Sequence, residues 1–172
     1  MECQEKVMED AISIANYFIE RSNDSKSEIT LLKLVKLTYI AHGFLLALLN
    51  KSYINPRFDR VEAWRLGPVI PSVYHTFKYN GSSPITEKGK VLTDVGINDC
   101  GVFVCPKVKD ETTQVLDFVM KRYGKMEAES LVDILHRKGT PWDYYYKPGQ
   151  NVIIPDEDTQ IYYKALWREL NK

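Results

Sequence analysis

Between Thr30 and Asn50 the chain carries apolar residues on almost every side that a helix could present. Leu31, Leu34, Val35, Thr38, Ala41, Leu45 and Leu49 recur at helical spacing along one face, while Leu37, Ile40, Phe44 and Leu48 fall elsewhere around the circumference. A helix of this kind is the central one of its domain, with other elements packed around it. Lys33 and Lys36 supply its only polar sector, which reads either as a solvated edge or as a buried pair answered by carboxylates. Lys33, Lys36 and His42 interrupt the apolar run and argue against a membrane span. Gly43 and Ala47, four apart, leave room for another backbone to approach closely. The fold class that follows is mainly α, a compact multi-helix single domain around a central buried helix.

The rest of the chain supplies the wrapping. A first helix is expected from about Glu5 to Arg21, with Val7, Ala11, Ile14, Ala15 and Phe18 on one stripe. Residues 55–65 read as irregular and partly extended. Leu66-Gly67-Pro68 then reads as a turn, because Gly67 can take a positive φ and Pro68 fixes its own. Pro71 sits where a helix accepts proline, in the first turn of a short helix that Asn80-Gly81 ends. Residues 82–108 lack a helical period, and Val91-Leu92 and Val102-Phe103-Val104 are candidates for short strands within 85–108. Two further helices are marked by Leu116, Val119 and Tyr123 before Gly124, and by Ala128, Leu131, Val132 and Leu135 before Gly139. A tyrosine-rich turn runs from Pro141-Trp142 to Pro148-Gly149. The last helix starts after Pro155, where Asp156, Glu157 and Asp158 meet its exposed amides.

Chemistry-bearing residues are sparse. His42, His75 and His136 and the cysteines Cys3, Cys100 and Cys105 form no His-x-x-x-His or Cys-x-x-Cys pair, so no metal or cofactor is expected. His42, on the apolar side of the central helix, reads as a hydrogen-bonded core residue. The odd, unpatterned cysteines read as reduced thiols, and with the N-terminus lacking a basic, apolar leader they point to a cytoplasmic protein. A hydrolase using Cys100 or Cys105 with a histidine is the enzymatic alternative, although Asp99-Cys100-Gly101 matches no nucleophile motif. Arg57, Arg60, Arg65 and Lys78 beside Trp64 and Tyr74 could mark a nucleic-acid-binding regulator. Lysine plus arginine equals aspartate plus glutamate at 23 each, and Asp59 and Glu62 are interleaved, so an ion-paired structural set is favoured over that reading. Tyr144-Tyr145-Tyr146 cannot all face inward in a turn, so at least one is expected at the surface.

Three separated segments carry a resemblance. They are Leu32-Lys33-Leu34-Val35-Lys36-Leu37-Thr38-Tyr39-Ile40-Ala41-His42-Gly43, then Glu62-Ala63-Trp64-Arg65-Leu66-Gly67-Pro68-Val69-Ile70-Pro71 with Val73-Tyr74, then Leu131 to His136 with Gly139-Thr140-Pro141-Trp142. In this order and spacing the chain resembles the SocA-like antitoxins built on the Panacea domain, carried on phages, prophages and plasmids, from about Ile12 to Leu166. The resemblance implies a mainly helical, non-enzymatic protein that neutralises a cognate protein toxin encoded nearby by binding it. One family member acts as an adaptor that hands its toxin to an ATP-dependent protease, so a protease or chaperone is a further implied partner, whereas a membrane or nucleic acid is not. Lys33, Lys36, Tyr39, Trp64, Arg65, Gly67, Pro68, Pro71, Tyr74, His136, Pro141 and Trp142 are the matching motif positions, expected either at contacts or as determinants of backbone shape. Leu66 stands where an aromatic is common and Thr140 where serine often appears. With no fused DNA-binding segment preceding the domain, autoregulation of transcription is not expected.

Overall fold

A computed structural model describes residues 3–93 and 101–172. Among the described residues seven helices pack together, with two small three-stranded sheets at their edge. The central element is helix α2 (Leu31–Leu49), buried from Leu34 through Leu46 on all its faces. Thr30 and Asn50 cap it, the latter in the left-handed region at φ 51°. Its length and composition would suffice to cross a membrane, yet most of it is enclosed by protein. Helices α1 (Ala11–Asp24), α4 (Asp110–Tyr123) and α7 (Asp156–Leu170) form the principal cover, and α7 makes the most extensive contact with α2. Helices α3 (Pro71–Phe77) and α5 (Ala128–Leu135) cover much of the remaining side, while α6 (Pro141–Tyr145) packs on α7. All these elements contribute to one continuous hydrophobic core.

The first sheet joins β1 (Glu5–Val7), β5 (Val102–Lys107) and β4 (Val91–Thr93), with β1 parallel to β5 and β4 antiparallel to it. The two segments expected as short strands therefore pair with each other. Glu5–Val7, expected as the opening turn of α1, instead forms β1. The physical reason is Asp10, whose backbone is extended and whose side chain accepts from the Ile12 amide at 2.8 Å, a cap that starts the helix at Ala11. Cys3 and Cys105 form a disulfide that ties β1's entry to β5, so two of the three cysteines expected as free thiols are joined. Cys100 lies outside the described residues.

The second sheet, in the order β3-β2-β6, comprises β2 (Val61–Trp64), β3 (Gly67–Val69) and β6 (Val152–Ile154), all antiparallel. This corrects the turn expected at Leu66-Gly67-Pro68. Trp64 pairs with Gly67, so Arg65 and Leu66 form the two-residue connection of a hairpin. Pro68 is accommodated because β3 is an edge strand, where a missing amide breaks no ladder. The tyrosine-rich turn is a one-turn helix, α6, with Pro141 at its start and Thr140 Oγ1 accepting from the Asp143 amide at 3.3 Å.

Close approach at Gly43 occurs as expected, but the visitor is a side chain. A methyl group built on Gly43 would lie 2.3 Å from the ring of Tyr163 on α7. That ring is 2% exposed and is wedged edge-on against Phe44 at 4.9 Å and Tyr39 at 6.0 Å. These two rings brace it on the sides that face α2. Gly43→Ala should therefore destabilise the protein by about 1–3 kcal/mol through overpacking, against the gain of roughly 1 kcal/mol that helix propensity alone would give. Thermal unfolding followed by circular dichroism reads the sign directly; a raised midpoint would refute the wedge.

Candidate functional site

Strand alternation positions the first part of the site. Val61 and Ala63 point into the core, so Glu62 and Trp64 share the other face of β2. Trp64 Nε1 donates to Glu62 Oε2 at 2.8 Å, and Arg60 Nε donates to Glu62 Oε1 at 2.9 Å. Glu62 is 6% exposed, so both of its oxygens find donors on their own strand and its approach. The Trp64 ring stands edge-on to Tyr74 of α3, with centroids 4.9 Å apart. This aromatic pair fixes the hairpin against α3.

The second part comes from α5 and α6. Trp142 Nε1 donates to the backbone oxygen of Trp64 at 2.7 Å, which joins the two tryptophan motifs across the fold. The Trp142 ring stacks nearly parallel on His136 at 3.7 Å and on Tyr146 at 4.5 Å. His136 Nε2 is buried and has no hydrogen-bond partner among the described residues.

Lys36 of α2 completes the cluster. It is wholly buried, and its Nζ donates to the Pro68 oxygen at 3.1 Å. No carboxylate of the described residues lies within ion-pair distance, so neither expected environment for Lys36 is found: it is not solvated, and a backbone carbonyl answers it in place of an acid. Burial pushes its ammonium down to about 7. Burial also lowers His136, and the Lys36 charge adds to that effect while Asp133 opposes it. Gly67 lets these groups meet. At φ 106° it occupies backbone space that favours glycine, and a Cβ there would sit 3.1 Å from Lys36 Nζ and 3.5 Å from His136 Nε2.

Beside the cluster, a pocket of about 640 Å³ opens between the β2–β3 hairpin and the first turns of α2. Leu31, Leu32, Val35, Trp64 and Tyr74 give it apolar walls, and Lys36 lines its interior. Arg65 and Leu66, the exposed hairpin tip, stand at its mouth; Leu66 is 53% exposed.

Of the motif residues, Lys36, Trp64, Arg65, Gly67, Pro68, Tyr74, His136 and Trp142 are thus gathered around one hairpin. Lys33 is half-buried and outside the pocket lining. Tyr39 lies in the core against Tyr163, away from the cluster. Pro71 and Pro141 open α3 and α6 and act through backbone shape. The arginine strip is not the ion-paired set expected: only Arg60 is salt-bridged among the described residues, while Asp59 accepts from the Ser72 hydroxyl and Arg57 stacks over Phe58. The tyrosine run divides as anticipated. Tyr144 is 76% exposed, Tyr145 donates to Asp158, and Tyr146 covers Trp142. His42 is the expected bonded core histidine, with Nε2 2.9 Å from Asp156 Oδ1. Burial tends to raise the Asp156 carboxyl, but His42 and Ser52 together hold it below the usual range.

Sequence reasoning did not select Glu62 or the α2 residues Leu31 and Leu32 for the site. The signal for Glu62 was its place between inward-facing Val61 and Ala63, with an indole two residues on. For the leucines there was none, since the whole helix is apolar.

Residues 34–143 match the family described as Antitoxin SocA-like, Panacea domain. The antitoxin SocA of Caulobacter vibrioides (strain NA1000 / CB15N) is 32% identical over 144 residues, which cover 83% of this chain and 74% of the relative. No solved structure matches.

The buried lysine has a thermodynamic signature. With its ordinary value at 10.5 and its folded value near 7, the unfolded chain holds a proton that the folded chain lacks between those limits. Its contribution to stability therefore rises with pH across that window, by up to about 1.4 kcal/mol per unit, and is least favourable below pH 7. Lys36→Met should remove this slope, so the variant gains most relative to the parent at pH 6 and least at pH 10. Denaturant unfolding of both proteins at pH 6, 8 and 10 measures it; a pH-independent difference would mean that Lys36 does not titrate in this range.

Proposed function

Because this chain belongs to the SocA-like antitoxin family of the Panacea domain, we propose that it neutralises a cognate protein toxin, encoded beside it, by binding it directly. The carrying observation is how the motif residues are used. Trp142 holds Trp64, Lys36 holds Pro68, and Trp64 holds Glu62, so their polar groups bond to each other and fix a hairpin whose tip faces solvent. Such an arrangement suits a surface that is recognised, and not a group that reacts. Delivery of the bound toxin to an ATP-dependent protease is the extension of this function that the family resemblance favours. It requires one face for the toxin and another for the protease, and the exposed Tyr144 and Ile161, on α6 and α7, offer a second apolar patch.

The cysteine hydrolase reading loses one of its two candidate nucleophiles. Cys105 is 2% exposed and bridged to Cys3, which leaves it no thiolate to attack with.

Expression of the adjacent reading frame should arrest growth, and co-expression of this chain should restore it. A variant with Cys3, Cys100 and Cys105 all replaced by serine should rescue as well as the parent. A harmless neighbour or a failure of rescue would refute the antitoxin reading; loss of rescue in the folded cysteine variant would revive the hydrolase. If delivery is part of the function, the toxin's half-life should shorten in the presence of this chain and lengthen again when the host's ATP-dependent proteases are deleted.

A further inference from the structure

The disulfide between Cys3 and Cys105 holds a strand that little else holds. Gln4, Glu5, Lys6 and Val7 are all exposed, and no residue from Cys3 to Glu9 belongs to the hydrophobic core. The other ties of β1 are backbone bonds to β5 and ion pairs at the surface. The Cys105 amide donates to the Gln4 oxygen at 2.9 Å, and the Met8 amide to the Lys107 oxygen at 2.9 Å. Glu5 meets Lys88 at 2.7 Å and Lys107 at 3.7 Å, and Glu9 meets Lys109 at 2.6 Å, all through exposed or partly exposed side chains. Such pairs hold a surface segment weakly, and a short strand without an apolar face is marginal in water. The other side of the bridge is different. In β5, Val104 and Cys105 are buried, β4 pairs along the opposite edge, and Asn16 Nδ2 of α1 donates to the Pro106 oxygen at 3.1 Å. Helix α1 starts on its own cap at Asp10. The rest of the fold is therefore anchored without β1, whereas β1 depends on the bridge.

We propose that the Cys3–Cys105 bond is a redox latch: closed, it docks residues 3–8 on β5, and open, it releases them as an arm and leaves the β5 edge from Cys105 to Lys107 unpaired. Opening is thiol exchange with a dithiol reductant. One of its thiolates attacks Cys3 Sγ, because Cys3 is partly exposed while Cys105 is enclosed at 2%. The bond between the two protein sulfurs breaks as a bond from Cys3 to the reductant forms, and Cys105 Sγ leaves with the electron pair and takes a proton. The reductant's second sulfur then displaces Cys3, which takes another proton. The protein gains two electrons and two protons, and the reductant departs as its own disulfide. A disulfide oxidant such as oxidised glutathione reverses both steps. The latch thus switches a covered sheet edge to an open one, the kind of surface on which another strand can pair. It goes beyond the antitoxin reading and does not rest on it.

The test needs no partner and uses the full chain carrying Cys100→Ser, so that Cys3 and Cys105 are the only pair that can close within one molecule. Oxidised glutathione and dithiothreitol prepare the two forms, which differ in mass by two hydrogens. Hydrogen exchange followed by NMR should be at least about ten-fold faster in the reduced form at the Met8 and Cys105 amides, and unchanged from Ile14 to Ile19 of α1. Cys3→Ser in the same background should exchange at the fast rate in either reagent. Trypsin should cut after Lys6 in the reduced form and in the Cys3→Ser protein, and should spare that bond in the oxidised form. Equal protection of Met8 and Cys105 in the two forms would show that the arm stays docked without the bridge, and would overturn the latch. Loss of protection in α1 on reduction would make the bridge a staple of the whole fold. Failure of oxidised glutathione to remove two hydrogens from the folded protein would show that the bond does not close. Either result also overturns the proposal.

Discussion

Burial of α2 from every direction is the constraint on which the remaining structure depends. A helix without a polar face gains nothing from solvent, and each of its sides needs an apolar surface supplied from elsewhere in the chain. Helices α1, α4 and α7 provide most of that cover, and the smaller α3 and α5 with strand β3 fill the side they leave open. The arrangement leaves little tolerance. Tyr163 lies on Gly43 so closely that no larger residue fits, and the aromatic contacts of Phe44 with Phe118, Tyr163 and Trp167 extend the same interlock towards α4 and the end of α7.

The cluster around the β2–β3 hairpin is a consequence of the same burial. Lys36 is a charged residue on a helix that has no room for charge, and its head group is accepted only because the edge strand turns the Pro68 oxygen towards it. Gly67 allows the strand to come near enough, and Trp142 grips the Trp64 carbonyl from the opposite partner elements. The hairpin is therefore held from the core side by a lysine and from the α5–α6 side by an indole. Its two-residue tip, Arg65 and Leu66, is presented rigidly as a result, which is the pre-organisation that recognition by binding requires.

Much of this organisation could be read before any coordinates. The apolar circumference of α2 announced its central place, the Asp156-Glu157-Asp158 run marked the start of α7, and Pro71 with Asn80-Gly81 located α3. The failures share a cause, which is that they turn on partners distant in sequence. Glu5–Val7 is a strand because β5 lies beside it, and β6 exists because β2 offers it an edge; neither segment has a strong local pattern. The hairpin was taken for a turn because its glycine and proline are turn formers locally, while their role is to admit Lys36 and to occupy a sheet edge. Tyr39 and Lys33 share a helix with Lys36, yet Tyr39 packs on Tyr163 and Lys33 lies outside the pocket lining. Helical periodicity places a residue on a face, yet cannot say which neighbour that face will meet. The Cys3–Cys105 pair was invisible for the same reason, since nothing in the spacing of two residues separated by 102 positions foretells that β1 and β5 run side by side.

The order of elements along the chain has a bearing on how the protein is made. Helix α2 leaves the ribosome early, and α7, its most extensive cover, follows only after all the other helices. Through that interval a nascent chain displays a nineteen-residue apolar helix with its aromatic wedge still missing, a state that invites capture by chaperones and cleavage by housekeeping peptidases. Docking of the late helix is what closes that exposed surface.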